Sequence, residues 1–208
     1  DYYLPEYVEK HLNTIVNLSS DYGVVYSPTY VYNEMTDITF IETNNFNKSG
    51  DVFDSLIEAQ VTDFIPAFTP FLRKAVFDII SYEEKVFCEG EMIYIRIAKH
   101  FKFQHIDIPL QVSTDHENNQ GKNYKENAQS FYTNSITYMS LYPDKEKQIK
   151  RIIGKMYLRN AWLAIRLMGD RKWMRNCIKI ALKNNPLVVL HWKFFLILIL
   201  SPINPKII

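Results

Sequence analysis

The sequence predicts a mixed α/β domain followed by an all-α extension. Short β-branched runs alternate with helix-periodic segments up to about residue 143, and only helical periodicity follows. The charge divides at the same place. Residues 1–144 hold 10 Lys/Arg and 21 Asp/Glu, a net of −11, whereas residues 145–208 hold 14 and 2, a net of +12. The boundary is expected at Tyr142-Pro143-Asp144, giving an α/β domain over 1–143 and a helical extension over 144–208.

The elements follow in order. Pro5 suits the first position of a helix, and Val8, Leu12, Ile15 and Val16 share one predicted inner face. Asp21-Tyr22-Gly23 reads as a turn, and Val24-Val25-Tyr26 as a buried strand that Tyr30–Tyr32 continues. Residues 36–50 read as irregular, with Asn44-Asn45, Asn47 and Ser49-Gly50 as loop chemistry. Asp51 caps a short helix carrying Val52, Phe53, Leu56 and Ile57. Val61–Phe68 reads as extended, Phe71–Ile80 as a helix opened by Pro70, and Glu89–His100 as a third helix. A strand lies within 101–112, with alternation at Phe103, His105 and Asp107. Residues 113–127 are polar and read as a functional loop. Helices are expected at 128–141, 144–168, 171–184 and 187–200, separated by Gly169-Asp170 and Asn184-Asn185-Pro186. Gly169 to Pro186 also has the flavour of one tetratricopeptide-like pair, but a solenoid needs about three repeats, so a plain helical hairpin is preferred.

Apolar residues make up 47% and charged residues 23%, the profile of a globular protein able to bury its own core. Two cysteines, Cys88 and Cys177, exclude a secreted disulfide framework and match no zinc spacing. No signal peptide opens the chain. These features imply a reducing, cytoplasmic location. No initiator Met is present, so the chain is read as a fragment or trimmed piece. Leu187–Leu200 is too short and interrupted to span a bilayer. Two readings of the basic tail stand side by side: it docks on the acidic body, or it rests on an anionic membrane surface. Leu187–Leu200 is correspondingly either a last buried helix or an amphipathic interfacial one. The three tryptophans of the tail, Trp162, Trp173 and Trp192, suit packing or an interfacial role. Nucleic acid is not expected, since no stacking platform or known motif accompanies the charge.

Several ordered segments resemble one enzyme family. They are Asp1-Tyr2-Tyr3-Leu4-Pro5 leading into a helix, Gly23-Val24-Val25-Tyr26-Ser27, and Gly50-Asp51-Val52-Phe53 through Leu56. Pro66-Ala67-Phe68-Thr69 follows, with Leu72-Arg73-Lys74 after it. Cys88-Glu89-Gly90-Glu91 with Tyr94-Ile95-Arg96-Ile97-Ala98 comes next, then Ile106-Asp107-Ile108-Pro109-Leu110 with His116 and Asn119. In this order they resemble the second half of an inverting family-two glycosyltransferase of the GT-A fold, over about 120 residues. The helical tail resembles the extension of some bacterial members.

The resemblance implies an enzyme that moves a sugar from a nucleotide-diphospho-sugar to a glycan or glycolipid hydroxyl, in cell-surface polysaccharide or glycolipid synthesis at the cytoplasmic membrane face. It implies that Glu89 or Glu91 is the catalytic base, and that Asp1 and His116 bind a divalent cation, Mg²⁺ or Mn²⁺. Arg73 and Lys74 are implied contacts to the diphosphate or to an acidic acceptor. The sequence departs from the family pattern at Gly90, where the base is expected after a Glu. The nucleotide-binding half is placed before residue 1. Local chemistry alone also permits ordinary helix-start acids at Glu89 and Glu91, a solvated loop histidine at His116 and a surface pair at Arg73-Lys74. The competing function is a non-catalytic helical adaptor or membrane-peripheral module. A metal-dependent hydrolase using Asp115, His116 and the Glu pair fits no known ligand spacing.

Overall fold

A computed structural model describes residues 1–42, 46–59, 70–82, 89–119 and 122–200. The extended stretch expected at 61–68, Pro66–Thr69 and Cys88 lie outside the described residues. The chain forms two compact units, Asp1–Lys122 and Asn123–Ile208. The division thus falls before the Tyr142-Pro143-Asp144 bend, because the helix ahead of that bend packs with the helices after it.

The first unit is α/β with mixed sheets. Its elements are β1 (Tyr2–Tyr3), α1 (Tyr7–Val16), β2 (Tyr22–Tyr26), β3 (Thr29–Asn33), β4 (Ile38–Glu42), α2 (Phe53–Ala59), β5 (Phe71–Leu72), α3 (Lys74–Phe77), α4 (Glu89–Ala98), β6 (Lys102–His105) and β7 (Gln111–Asp115). One sheet has the order β1-β7-β3-β4 and the other β5-β2-β6. β3 runs parallel to β7, with Thr29 opposite Gln111 and Asn33 opposite Asp115. β1 runs antiparallel to β7, with Tyr2 opposite Val112.

Four expectations are corrected here. Tyr30–Tyr32 does not extend β2: Pro28 lacks an amide donor, and the chain enters the other sheet as β3. Residues 38–42 are a strand, β4, paired along its length to β3. Phe71–Leu72 is extended and pairs with β2, so the following helix is only Lys74–Phe77. β7 continues to Asp115 inside the stretch expected to be loop, held on both sides by β1 and β3.

Helix α1 forms where expected but turns another face inward. Tyr7, His11 and Ile15 are buried, while Val8, Leu12 and Val16 are exposed. The aromatic rings set the orientation, since they carry more area to bury than the valines do. The Tyr7 ring lies 4.1 Å from Tyr3 and 4.2 Å from His11, and Phe71 of β5 lies 5.9 Å beyond His11. His11 is fully buried; Nδ1 sits 2.7 Å from the Tyr7 carbonyl and so carries the proton, and Nε2 has no partner among the described residues. Burial pushes this imidazole below its ordinary range, with the Tyr7 carbonyl opposing.

His11 therefore folds neutral, whereas the unfolded chain takes up a proton below about pH 6.5. Its contribution is present above that pH and is lost as pH falls. His105 is shifted the same way by burial, against the pull of Asp107. Urea midpoints at pH 7.5 and 5 should fall on acidification, and His11→Phe should fall less than the parent, with the His105 share remaining. An equal acid loss in both proteins would remove His11 as a cause.

The buried amide of Gln111 holds the link between the two sheets. Its Nε2 donates to the carbonyls of Ser27 at 3.1 Å and Pro28 at 2.7 Å and lies 3.0 Å from the Thr29 hydroxyl, while its Oε1 accepts from the Ser27 hydroxyl at 3.2 Å. The link from β2 to β3 is thereby fastened to the start of β7.

The second unit contains α5 (Tyr124–Leu141), α6 (Glu146–Arg166), α7 (Arg171–Asn184) and α8 (Trp192–Leu200). α5 begins at Tyr124 rather than 128, because the Asn123 side chain caps it by accepting from Glu126 N–H. Residues 186–190 form a 3-10 turn, so α8 starts five residues later than expected. Gly169 takes the left-handed φ of 60° that ends α6, and Asp170 then caps α7 by accepting from Trp173 N–H at 2.8 Å. Gly154 lets α6 approach the end of α7: an added Cβ would lie 2.4 Å from Asn185 Cβ. Cys177 is fully buried and free, and burial pushes its thiol up to about 12, with Asp170 adding to the rise. It is therefore inert as a nucleophile. Among the described residues no helix is long and apolar enough to cross a membrane.

Candidate functional site

Parallel strands point their carboxyl ends to one edge, where α/β sheets commonly bind ligands. Here β3 and β7 end together at Asn33 and Asp115. Antiparallel β1 begins at the same edge, which brings Asp1 there. The Asp1 carboxylate accepts the Thr114 N–H at 2.8 Å, replacing a backbone ladder bond across 113 positions of sequence.

The loop after β7 is held by its own side chains. Asn119 Oδ1 accepts from His116 N–H at 2.9 Å, and Asn119 Nδ2 donates to the Thr114 carbonyl at 3.1 Å. Lys122 Nζ donates to the His116 carbonyl at 2.7 Å and meets Asp115 Oδ1 at 2.8 Å. The other Asp115 oxygen accepts from Asn33 Nδ2 at 2.9 Å. Asn33 Oδ1 in turn accepts from the amides of Met35 and Thr36, both at 3.0 Å, which shapes the turn into β4. The result is a preorganised edge with Asp1 on one side of β7 and Asn33 on the other.

Of the residues expected at a site, the structure brings together Asp1 and the His116 loop. Among the described residues the His116 ring makes no hydrogen bond or ion pair, and its side chain is half-buried. Glu89 and Glu91 occupy the first turn of α4, and their side chains lie outside the described residues. Arg96, on the same helix, donates to the Ser81 carbonyl at 2.8 Å.

The cluster does not contain Arg73 or Lys74. Arg73 Nε donates to the Tyr22 carbonyl at 2.7 Å, and Nη2 donates to the carbonyls of Leu18, at 2.9 Å, and Ile15. A guanidinium on the last carbonyls of α1 satisfies groups that the helix leaves open and complements its dipole. Lys74 is exposed at the start of α3.

Sequence reasoning missed Asn33 and Lys122 as members of the cluster. The available signal was the Asn33-Glu34-Met35-Thr36 turn chemistry. Their partner, Asp115, lies 82 positions from Asn33.

A hard divalent cation of the Mg²⁺ type is often held by one or two carboxylates, with substrate phosphates and water completing the shell, and Mn²⁺ also accepts imidazole. At this edge Asp1 supplies one carboxylate and the loop after β7 one imidazole, that of His116. Among the described residues no group of three or more His, Cys, Asp or Glu is arranged to hold a metal ion by itself. Asp115 is already compensated by Lys122.

Compared with known proteins, the chain matches no family model and no curated protein sequence.

Proposed function

We propose that residues 1–122 are the acceptor-side half of an inverting GT-A-like glycosyltransferase that transfers a sugar from a nucleotide-diphospho-sugar to a hydroxyl of a glycan or glycolipid. The observation that carries this reading is the Asp1 carboxylate on the Thr114 amide, directly ahead of the His116 loop. The resemblance requires the start of the chain, the residues near 90 and those near 116 to share one hollow; this contact supports the meeting of the first and the last, and the side chains of Glu89 and Glu91 lie outside the described residues.

In this reading Asp1 and His116 bind the diphosphate end of the donor together with a divalent cation. The cation, when bound, offsets charge on the leaving diphosphate. Asn33, Asn119 and Lys122 hold the loop so that little ordering is left for the substrate to induce. Glu89 or Glu91 accepts the acceptor hydroxyl's proton as the new bond forms. The setting is the cytoplasmic face of the cell membrane.

The test is calorimetric binding of nucleoside diphosphates and nucleotide-sugars with Mn²⁺ or Mg²⁺, on protein expressed with whatever coding sequence precedes Asp1. Binding should require the cation, and Asp1→Asn and His116→Ala should each weaken it about tenfold or more. Absence of cation-dependent nucleotide binding would defeat the transferase reading. The second reading, a non-catalytic interaction module, is favoured by the separate basic helical unit, and it predicts that absence.

A further inference from the structure

The helical unit, residues 123–208, carries 15 Lys/Arg against 4 Asp/Glu, a net of +11. Three of the acids are already paired, Asp170 with Lys125 at 2.6 Å, Glu146 with Lys150, and Asp144 with Lys145 at 3.9 Å. On α7, Lys172, Arg175, Lys179 and Lys183 are all exposed and recur every three or four residues, so they form one row along the helix. None of the four makes an ion pair among the described residues.

The chain leaves this row directly into exposed apolar surface. In the turn that follows, Leu187 is 70% and Leu190 73% exposed. α8 is seated through Ile197, which is 1% exposed, while Trp192, Phe195, Leu198 and Ile199 lie on its outer side. Their spacing of three and four residues makes a second row, wholly apolar. The Trp192 ring meets Trp162 of α6 edge-on at 6.1 Å, which fixes one end of α8 on the unit. A water-facing surface gains nothing from this many large apolar side chains.

We propose that this surface binds the face of a bilayer rich in anionic lipid. The outer side of α8 and the Leu187–Leu190 turn enter the headgroup boundary, and the α7 row meets lipid phosphates. A second copy is a poor occupant, since it would bring another +11 unit against the first. A nucleic acid would satisfy the cations but would leave Leu187, Leu190, Leu198 and Ile199 in water. The proposal is independent of sugar transfer, because every residue it uses lies within the helical unit.

The experiment is co-sedimentation of the full chain with phosphatidylcholine vesicles and with phosphatidylcholine–phosphatidylglycerol vesicles. Binding is expected only to the second kind, and it should fall with added salt. Leu190→Asp with Phe195→Asp should weaken binding at least about tenfold with helical circular dichroism unchanged. Lys179→Gln with Lys183→Gln should weaken it by about tenfold as well, and provides a second readout if the apolar variant misfolds. Equal binding to neutral vesicles would overturn the proposal, and so would anionic binding that ignores both double variants. A transfer-RNA gel shift that survives Leu190→Asp without vesicle binding would assign the cations to nucleic acid. A dimer dissolved by Leu190→Asp without vesicle binding would assign the apolar row to a second copy.

Discussion

On the proposed transferase reading, changing Glu89 and Glu91 together to Gln in the protein with its preceding coding sequence is expected to lower sugar transfer by about 10²–10⁴-fold, the usual contribution of a positioned general base. Gln keeps the size but cannot take a proton at neutral pH. The first turn of a helix favours the anionic form of a carboxylate, and both residues stand in the first turn of α4. The two single variants should divide unequally, with one carrying nearly all of the loss, because an acceptor hydroxyl approaches one carboxylate. The nucleotide affinity of the double variant should stay near the parent value, since the acids are assigned to the acceptor side. Transfer that continues unchanged in both single variants and in the double variant would take these residues out of the chemistry while leaving Asp1 and His116 to be judged by binding.

Replacing Gln111 by Leu is expected to destabilise the α/β unit by about 3–5 kcal/mol. Leu matches the volume but offers no amide. The carbonyls of Ser27 and Pro28 lose their donor, and the Ser27 hydroxyl loses its acceptor, all at buried or half-buried positions. Each orphaned buried group costs about 1–3 kcal/mol, so two or three outweigh any gain from a more apolar side chain. Gln111→Glu should be as damaging, because a carboxylate has no protons to give to two carbonyls. Against a typical domain stability of about 5–15 kcal/mol this is a large fraction. Thermal unfolding followed by circular dichroism should shift down by roughly 10–20 °C. A shift of only a degree or two would mean that the amide's bonds are replaced on relaxation.

Elements set by local chemistry were readable from sequence, and those set by distant pairing were not. Gly169 ends a helix through its left-handed backbone, Asp170 begins the next through its own carboxylate, and Pro186 opens the following turn, so the breaks lie where these residues stand. β7 was hidden because Gln111-Val112-Ser113-Thr114-Asp115 has one aliphatic residue and looks like a loop. It is a strand because β1 and β3 supply its hydrogen bonds on both sides. β4 was hidden because it lies beside asparagine-rich chain and exposes Ile38, Phe40 and Ile41, so it lacks a clean alternation. In α1 two apolar faces compete along the same ten residues, and rings brought in from elsewhere, Tyr3 against Tyr7 and Phe71 across from His11, favour the buried one. For the site, Asp1 was suggested by resemblance alone, and His116 by resemblance together with its polar loop. Asn33 and Lys122 could not be found, because the carboxylate they share is brought to them by the sheet.

The strand order β1-β7-β3-β4 has a bearing on biosynthesis. β7 is the last strand of its unit to be made, yet it occupies an inner position. Until the ribosome has released it, β1 has no neighbour among the described strands and the β3–β4 hairpin lacks its second partner. Such a topology has high contact order, which slows folding and leaves hairpin edges open meanwhile. The downstream helices pair mostly with near neighbours in sequence and have no comparable wait. In a nascent chain, therefore, the amino-terminal unit begins first and closes only when its final strand arrives.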